Sequence, residues 1–147
     1  MKFRPHLNYF LEELSKKYEI IIYTATSVNY ANTIVDYLDP NKEYIRYIIP
    51  KDRCLLAKNG VYVKDLRIFK DRSMKDMLIV DDCSHSFSFQ LDNGVPIIEY
   101  KGNPLDEELK CLVKYLLECA EQEDIREYNK NRLKLAKLLQ VQLPISD

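Results

Sequence analysis

No apolar run in this sequence approaches the length needed to cross a bilayer, and no secretory leader stands at its start. The four cysteines have neither C-x-x-C nor zinc-ligand spacing, which indicates reduced thiols in an intracellular protein. The formal net charge is −1, so neither nucleic acid nor an acidic membrane surface is an expected partner. These absences predict a soluble intracellular protein without a membrane span.

What is present is an ordinary globular composition, with 46% hydrophobic and 31% charged residues. A length of 147 residues predicts one domain with a real core. We expect residues 1–147 to form that domain, with residues 140–147 as a frayed tail. Strand-like and helix-like segments alternate along the chain, which predicts an α/β fold with a mostly parallel sheet.

The first half of the chain predicts a helix, a strand and a second helix. The first helix should run from Pro5 to about Lys17, because apolar residues recur on one face. The β-branched and aromatic run 18–24 predicts a buried strand. A hydroxyl of Thr26 or Ser27 should cap the next helix, and Asp-Pro-Asn at 39–41 should end it.

The second half predicts more strands, a hairpin and two helices. Asn59-Gly60 between two apolar arms predicts a two-residue hairpin turn. Pro96 should lie near a sheet edge or open its strand, because proline donates no ladder hydrogen bond. Strands are expected at 44–49, 77–81 and 95–100, a short helix or loop at 67–75, and helices at 105–120 and from about 123 to 139.

Two carboxylates, Asp81 and Asp82, follow the apolar run that begins at Met77. Acids at the carboxyl end of a buried strand lie where open α/β sheets build their sites. Two such acids can hold Mg²⁺, which takes oxygen ligands. The alternative is that one aspartate caps the next turn while the other is solvated.

Thr24 and Lys64 are candidates for the same site. Thr24 ends a strand just before a helix, so its hydroxyl either binds an anion or caps the turn. Lys64 follows a hairpin arm and is either a solvated edge residue or a fixed positive charge facing a phosphoryl group. Two acids, a hydroxyl and a lysine are the parts of a metal-assisted phosphoryl-transfer site.

The order of four short elements is more specific than any one of them. They are Arg4-Pro5, Tyr23-Thr-Ala-Thr26, Tyr62-Val-Lys-Asp-Leu66 and Ile79-Val-Asp-Asp82. From Arg4 to about Leu139 the chain resembles the small-C-terminal-domain phosphatase branch of the haloacid dehalogenase superfamily. Members of that branch remove phosphate from serine and threonine, notably on the tail of RNA polymerase II. The resemblance implies a Rossmann-like, mostly parallel sheet with a β-hairpin insert and two C-terminal helices.

The resemblance also implies a role for each candidate residue. Thr24 would hydrogen-bond the phosphoryl oxygens, and Lys64 would neutralise charge on the phosphoryl group. Asp81 would be a Mg²⁺ ligand, with Asp82 assisting the water shell of the metal. Tyr30 would contact the substrate, a phosphoserine or phosphothreonine peptide or protein.

The sequence departs from this family at its first motif. That motif is an apolar strand followed by Asp-x-Asp-x-Thr, whose first aspartate is the nucleophile, and it occurs nowhere in these 147 residues. The substrate-selecting segment of the family is absent too. No nucleophile can therefore be named, covalent phosphoryl transfer is not expected, and Mg²⁺ affinity should be poor.

The missing strand has a structural consequence. In the superfamily it lies between the strands expected at 18–24 and 77–81. Those strands should then stand apart with a groove between them, collapse into direct pairing, or have another segment in the slot. Exposed strand edges also predict marginal stability and self-association.

Three functions fit the sequence, and whether the chain is an enzyme stays open among them. It is part of a phosphatase whose N-terminal portion is absent, or a non-catalytic module that binds phosphopeptides or proteins. The third is a receptor domain like the mitochondrial inner-membrane translocase subunit that shares this fold. We favour the first, because Thr24, Lys64, Asp81 and Asp82 are all present. The family's commoner compartment is the nucleus or cytoplasm rather than the mitochondrion.

Overall fold

Two separate half-sheets, rather than one continuous sheet, form the centre of the structure. The computed structural model describes residues 2–135, and in that range the six short strands pair two by two. Strands β1 (Ile20–Tyr23) and β2 (Ile45–Ile49) are parallel. Strands β5 (Ile79–Asp81) and β6 (Gly94–Pro96) are also parallel. An antiparallel hairpin of β3 (Leu55–Leu56) and β4 (Tyr62–Val63) lies between them in sequence.

Helices alternate with the strands, which confirms the predicted α/β class. The four α-helices are α1 (Leu7–Ser15), α2 (Val28–Leu38), α3 (Glu108–Ala120) and α4 (Ile125–Leu133). Short 3₁₀ helices occupy Lys51–Arg53, Leu66–Ile68, Met74–Asp76, Ser84–Phe87 and Leu91–Asn93. Across residues 2–135, no helix combines the length and the apolar character that a membrane span requires.

Both predicted boundaries of α2 are confirmed. Ser27 is the N-cap, and its hydroxyl accepts a hydrogen bond from the Tyr30 N–H at 3.4 Å. Asp39 ends the helix, and its buried carboxylate accepts backbone N–H groups at 2.8–2.9 Å from Glu43, Tyr44 and Ile45. Burial alone would raise the pKa of Asp39, but these three donors outweigh it and lower the pKa. The carboxylate thus fixes the entry of the chain into β2.

The predicted hairpin exists, but its turn is one residue longer than expected. The Gly60 N–H donates to the Ala57 carbonyl at 3.0 Å, so Lys58 and Asn59 are the central residues of the turn. Gly60 has a φ of 83°, the left-handed conformation that closes a three-residue loop with a bulge. The Asn59 side chain accepts the Val61 N–H at 3.1 Å. This contact favours the longer loop over the two-residue turn.

Several predicted boundaries shift. The α1 helix begins at Leu7, so Pro5 lies in the preceding turn. The strand expected at 95–100 is β6, and Pro96 is its last residue rather than its first. The other expected placement of Pro96, near a sheet edge, is confirmed, because in the described residues β6 pairs only with β5. The α3 helix begins at 108 instead of 105, and α4 ends at Leu133 because Lys134 adopts the left-handed conformation with a φ of 52°. The rest of the helix expected up to 139 and the tail 140–147 lie outside the described residues.

The α1 helix is the common support of both half-sheets. Its Leu14 belongs to a core cluster with Val95 and the apolar face of α3, and its Leu11 to a second cluster with Val35 and Ile45. Leu7 and Phe10 pack against both clusters. The two half-sheets are therefore joined through a helix and not through strand pairing.

The α4 helix is fastened to β6 by one buried side chain. Asn129 is 1% exposed, and its amide donates to the carbonyls of Asp92 and Gly94 at 2.9 and 2.8 Å. Its carbonyl oxygen accepts the Tyr115 hydroxyl at 2.6 Å. Three of the four hydrogen bonds available to a primary amide are thus made in the interior.

A groove of about 650 Å³ separates β1 from β5, and we call it the interstrand groove. Within residues 2–135, β1 pairs only with β2 and β5 only with β6, so each has one unpaired edge. Both edges line the groove, together with side chains of α1, α3 and the loop around Phe69. All four residues of β1 are only half-buried, although three of them are isoleucine. The first of the three expected outcomes is therefore the observed one: the strands stand apart.

Candidate functional site

Lys64 and Asp81 form an ion pair at the carboxyl end of β5. The Lys64 Nζ donates to Asp81 Oδ2 at 2.5 Å, and the two side chains are only 13% and 8% exposed. The partners are 17 residues apart in sequence and come from different elements, the hairpin and the half-sheet. A nearly dry ion pair holds its geometry better than a surface pair, because little water competes for either charge.

Backbone contacts position both members of the pair. Lys64 follows β4, and its N–H donates to the Ser86 carbonyl at 2.7 Å. Asp81 is the last residue of β5, and its Oδ1 accepts the Cys83 N–H at 2.9 Å. The two oxygens of Asp81 therefore have separate partners, one a lysine and the other the following turn.

Asp82 is placed differently from its neighbour. The residue is exposed overall, yet its carboxyl group is partly desolvated, and this is the first cause of its raised pKa. The negative charges of Asp81 and Glu99 raise the pKa further. Asp81 is therefore paired with a cation, whereas Asp82 faces other negative charges.

Thr24 lies just beyond β1, where its N–H donates to the Ile49 carbonyl at 2.9 Å. Its hydroxyl lies 3.0 Å from the Thr26 hydroxyl and accepts the Thr26 N–H at 3.2 Å. This turn leads into the Ser27 cap of α2. A hydroxyl and the free N–H groups of a helix start thus occur together, as an anion site requires.

Cys54 contacts the Thr24 turn, and sequence reasoning missed it. Its thiol donates to the Thr24 carbonyl at 3.6 Å. Burial raises the pKa of the thiol, and the charges of Lys64 and Asp81 also act on it, in opposite directions. The thiol therefore contacts the Thr24 turn and is close enough to the ion pair for both of its charges to affect the thiol pKa. A lone cysteine 30 residues from Thr24 gave no signal in the sequence.

Two further motif residues have structural contacts. Arg4 forms hydrogen bonds with Asp106 at 2.8 and 3.0 Å and donates to the Ile98 carbonyl at 2.6 Å. Asp65 is buried beside Lys64 and accepts hydrogen bonds from Arg67 and Gln90. The Arg67 guanidinium lowers the pKa of Asp65 to about 2. These contacts fix the chain on either side of the site.

The metal donors fall short of a complete set in the described range. From residue 2 to residue 135, no group of three or more histidine, cysteine or acidic side chains is arranged to hold an ion. Asp81 and Asp82 are neighbours, but one oxygen of Asp81 is already bonded to Lys64. Mg²⁺ can be held by one or two carboxylates together with waters and substrate phosphate oxygens, but both oxygens of Asp81 already accept hydrogen bonds, from Lys64 and from the Cys83 N–H.

Tyr30 lies in the first turn of α2 and is 50% exposed. The structure thus brings Lys64 and Asp81 into contact, and Cys54, which feels both of their charges, contacts Thr24. Tyr30 lies at the surface of α2. The role of Tyr30 in substrate contact stays a prediction. The same holds for the roles predicted for Thr24, Lys64, Asp81 and Asp82.

The fold has a clear counterpart among solved structures. The structure of Fcp1, an essential RNA polymerase II CTD phosphatase, matches 99% of this chain and 39% of that chain, with a TM-score of 0.59 and 20% sequence identity. This likeness shows that this chain has the same α/β fold as the matched part of Fcp1.

Sequence relatives include both phosphatase-like proteins and a translocase subunit. CTD small phosphatase-like protein 2 of Dictyostelium discoideum is 37% identical over 138 residues, which is 94% of this chain and 24% of that protein. CTD small phosphatase-like protein 3 of Caenorhabditis elegans is 41% identical over 116 residues, 79% of this chain and 40% of that protein. The mitochondrial import inner membrane translocase subunit TIM50 of Candida glabrata is 34% identical over 125 residues, 84% of this chain and 25% of that protein. The chain spans less than half the length of each.

The chain belongs to the NLI interacting factor-like phosphatase family, because the family model matches residues 1–126. The family predicted from the four sequence elements is thereby confirmed.

Proposed function

We propose that this chain is the phosphoryl-binding part of a protein serine/threonine phosphatase domain and that these 147 residues alone bind phosphate esters without hydrolysing them. The observation that carries the proposal is the nearly buried Lys64–Asp81 ion pair at the carboxyl end of β5. Family membership supports the phosphatase class. The names of two relatives support phosphoproteins as the substrate class.

In this proposal each residue binds the phosphoryl group, orients a residue that binds it, or contacts the substrate peptide. The Lys64 ammonium and the Thr24 hydroxyl bind two of the phosphoryl oxygens, as one charged and one neutral donor. Asp81 holds Lys64 in place, so the charge is oriented before the phosphate arrives. Tyr30 contacts the peptide next to the phosphorylated residue.

Turnover requires a nucleophile that these residues do not include. Transfer to an aspartate would form a new phosphorus–oxygen bond while the ester oxygen leaves, but no Asp-x-Asp-x-Thr occurs in the sequence. Mg²⁺ would neutralise charge on the phosphoryl group, with Asp81 and Asp82 as its protein ligands. Because both oxygens of Asp81 already accept hydrogen bonds and the Asp-x-Asp-x-Thr motif does not occur in the sequence, we expect weak Mg²⁺ binding.

A binding function without catalysis is the second candidate. The TIM50 relative is 34% identical over 125 residues, which supports a receptor-like module. The two phosphatase-like relatives are 37% and 41% identical, which supports the phosphatase assignment. We keep the nucleus or cytoplasm ahead of the mitochondrion as the expected compartment.

Two measurements on the 147-residue chain test the proposal. With Mg²⁺ present, hydrolysis of a small aryl phosphate should not exceed background. Turnover that disappears in Asp81→Asn would overturn the claim of inactivity and would require another nucleophile.

The second measurement is calorimetric titration with a phosphoserine peptide and its unphosphorylated counterpart. The phosphopeptide should bind at least tenfold more tightly, and Lys64→Ala should abolish the difference. Lys58→Ala, which removes an exposed lysine from the hairpin turn, is the matched control and should change nothing. Equal affinity for both peptides would refute phosphoryl recognition and favour the receptor-like module.

A further inference from the structure

Lys64 is held at both ends of its side chain. At the outer end, its ammonium group contacts Asp81, the last residue of β5. At the inner end, its backbone N–H donates to the Ser86 carbonyl at 2.7 Å. Both partners belong to one stretch of chain, residues 81–90, which we call the post-β5 segment. The position of this segment against the end of β4 therefore determines where the ammonium group lies.

Gln90 ends the post-β5 segment and bonds it to the two residues that follow Lys64. Its side-chain oxygen accepts the Leu66 N–H at 3.0 Å, and its side-chain nitrogen donates to Asp65 at 2.8 Å. This pair of bonds requires a side chain that both accepts and donates, as a primary amide does. Together with the Ser86 carbonyl, Gln90 ties the chain on both sides of Lys64 to the same segment.

The backbone of Gln90 is itself fixed by contacts within the loop. Its N–H donates to the Phe87 carbonyl at 3.0 Å, and its carbonyl accepts the Asn93 N–H at 3.0 Å. Phe87 is fully buried and belongs to the same core cluster as Leu66. The Gln90 side chain therefore extends from an anchored backbone, so its two bonds transmit the position of the segment to the chain beside Lys64.

Removing the Gln90 amide should loosen this link without unfolding the chain. Asp65 retains Arg67, which bonds its carboxylate oxygens at 2.7–3.1 Å. Gln90 is only half-buried, so water can reach the groups that its amide leaves. The loss of two hydrogen bonds at a partly hydrated position is small beside the stability of a folded domain. Lys64 would then keep a single backbone tie, to Ser86.

We propose that Gln90 is a positioning residue of the candidate site, which holds Lys64 where its ammonium group is paired with Asp81 and oriented before a phosphoryl group arrives. A lysine that is already oriented loses less conformational entropy on binding than a free one. The part of this inference that concerns phosphate rests on the proposed function. The part that concerns the orientation of Lys64 does not, because the hydrogen bonds of Gln90 carry it.

The first test measures the coupling between Lys64 and Asp81 and needs no ligand. Urea denaturation of Lys64→Met, Asp81→Asn and the double variant gives the coupling energy, first in the parent chain and then with Gln90→Met added. Gln90→Met keeps the length of the side chain and removes both hydrogen bonds. The coupling energy should fall to about half of its parent value or less. A residue that only adds stability would lower all variants equally, and an unchanged coupling energy would overturn the proposal.

The second test is calorimetric titration with a phosphoserine peptide and its unphosphorylated counterpart. In Gln90→Met the ratio of the two affinities should fall by about three- to tenfold. The matched control is Gln122→Met, which removes a half-buried amide that donates to the Glu118 carbonyl at 3.1 Å, and it should change neither the ratio nor the coupling. If Gln90→Met does not fold, Gln90→Ala replaces it, because the smaller side chain admits water to the freed groups.

The two tests distinguish a failure of this inference from a failure of the proposed function. If the parent chain binds both peptides equally, the proposed function fails, and the coupling energy alone decides whether Gln90 orients Lys64. If the parent prefers the phosphopeptide and Gln90→Met keeps the same preference, the proposed function stands and Gln90 is not a positioning residue.

Discussion

Breaking the Lys64–Asp81 ion pair should destabilise the fold in a way that depends on both partners. Lys64→Met keeps the length of the side chain but removes the charge, and leaves a carboxylate that is only 8% exposed without its cation. Fully buried pairs lose about 3–5 kcal/mol when one partner is removed, and exposed pairs about 0–1 kcal/mol. Asp81 retains the Cys83 N–H, so we expect a loss of about 2–4 kcal/mol in the free energy of unfolding.

A double-mutant cycle isolates the pair. Asp81→Asn leaves Lys64 without an anion and should lower the free energy of unfolding by about as much as Lys64→Met does. The double variant should cost about 1–2 kcal/mol, well below the sum of the single variants. The surface pair Lys16–Glu13, with side chains 59% and 29% exposed, is the matched control, and Lys16→Met should stay within about 0.5 kcal/mol of the parent.

Urea denaturation followed by tyrosine fluorescence provides the measurement, because the chain has 11 tyrosines and no tryptophan. Additive losses in the cycle would refute the coupling. A Lys64→Met loss as small as the surface control would mean that the pair is solvated and that Lys64 is not oriented in advance.

Three other changes test separate parts of the fold by the same assay. Asn129→Ala should cost about 2–4 kcal/mol, because three buried hydrogen bonds lose their partner; a loss below 1 kcal/mol would contradict this. Gly94→Ala should cost at least about 2 kcal/mol, since its Cβ would lie 2.1 Å from the ring of fully buried Phe87; an unchanged midpoint would show that the ring moves freely. Arg67 lowers the pKa of Asp65 to about 2. At pH values above the ordinary aspartate pKa, this shift should add about 2 kcal/mol to the free energy of unfolding. That stability should fade as the pH falls from about 5 to 2, and Asp65→Asn should flatten this part of the profile.

Local sequence signals were sufficient to predict the features of the fold that depend only on neighbouring residues. The cap at Ser27 and the stop at Asp39 were predictable, because each acts on backbone groups within six residues. The end of α4 was not, because nothing in the local pattern marks Lys134 for a left-handed conformation. The hairpin lies between these cases: Gly60 signalled a turn, but not which turn.

The candidate site, too, could be predicted only in part from local patterns. Apolar runs placed Thr24 and Asp81 at strand ends, but no spacing rule connects Asp81 with Lys64 in the hairpin, and that grouping came from the family resemblance. Cys54 could not have been found, because its contact with Thr24 depends on how β2 and the hairpin are placed after the chain folds. Residues brought together by tertiary packing carry no local signature.

The α1 helix also determines the order in which this chain can fold. Each half-sheet forms from a contiguous stretch, about 18–49 for one and 77–97 for the other, so its contacts close short loops and should form early. The α1–α3 packing instead joins residues about 100 positions apart, and just after α1 the Tyr18 hydroxyl donates to the Leu116 carbonyl at 2.6 Å. We therefore expect docking of the two ends onto α1 to be the slow step of folding. Substitutions in the face of α1 that contacts α3 should slow folding, whereas changes inside either half-sheet should act mainly on the rate of unfolding.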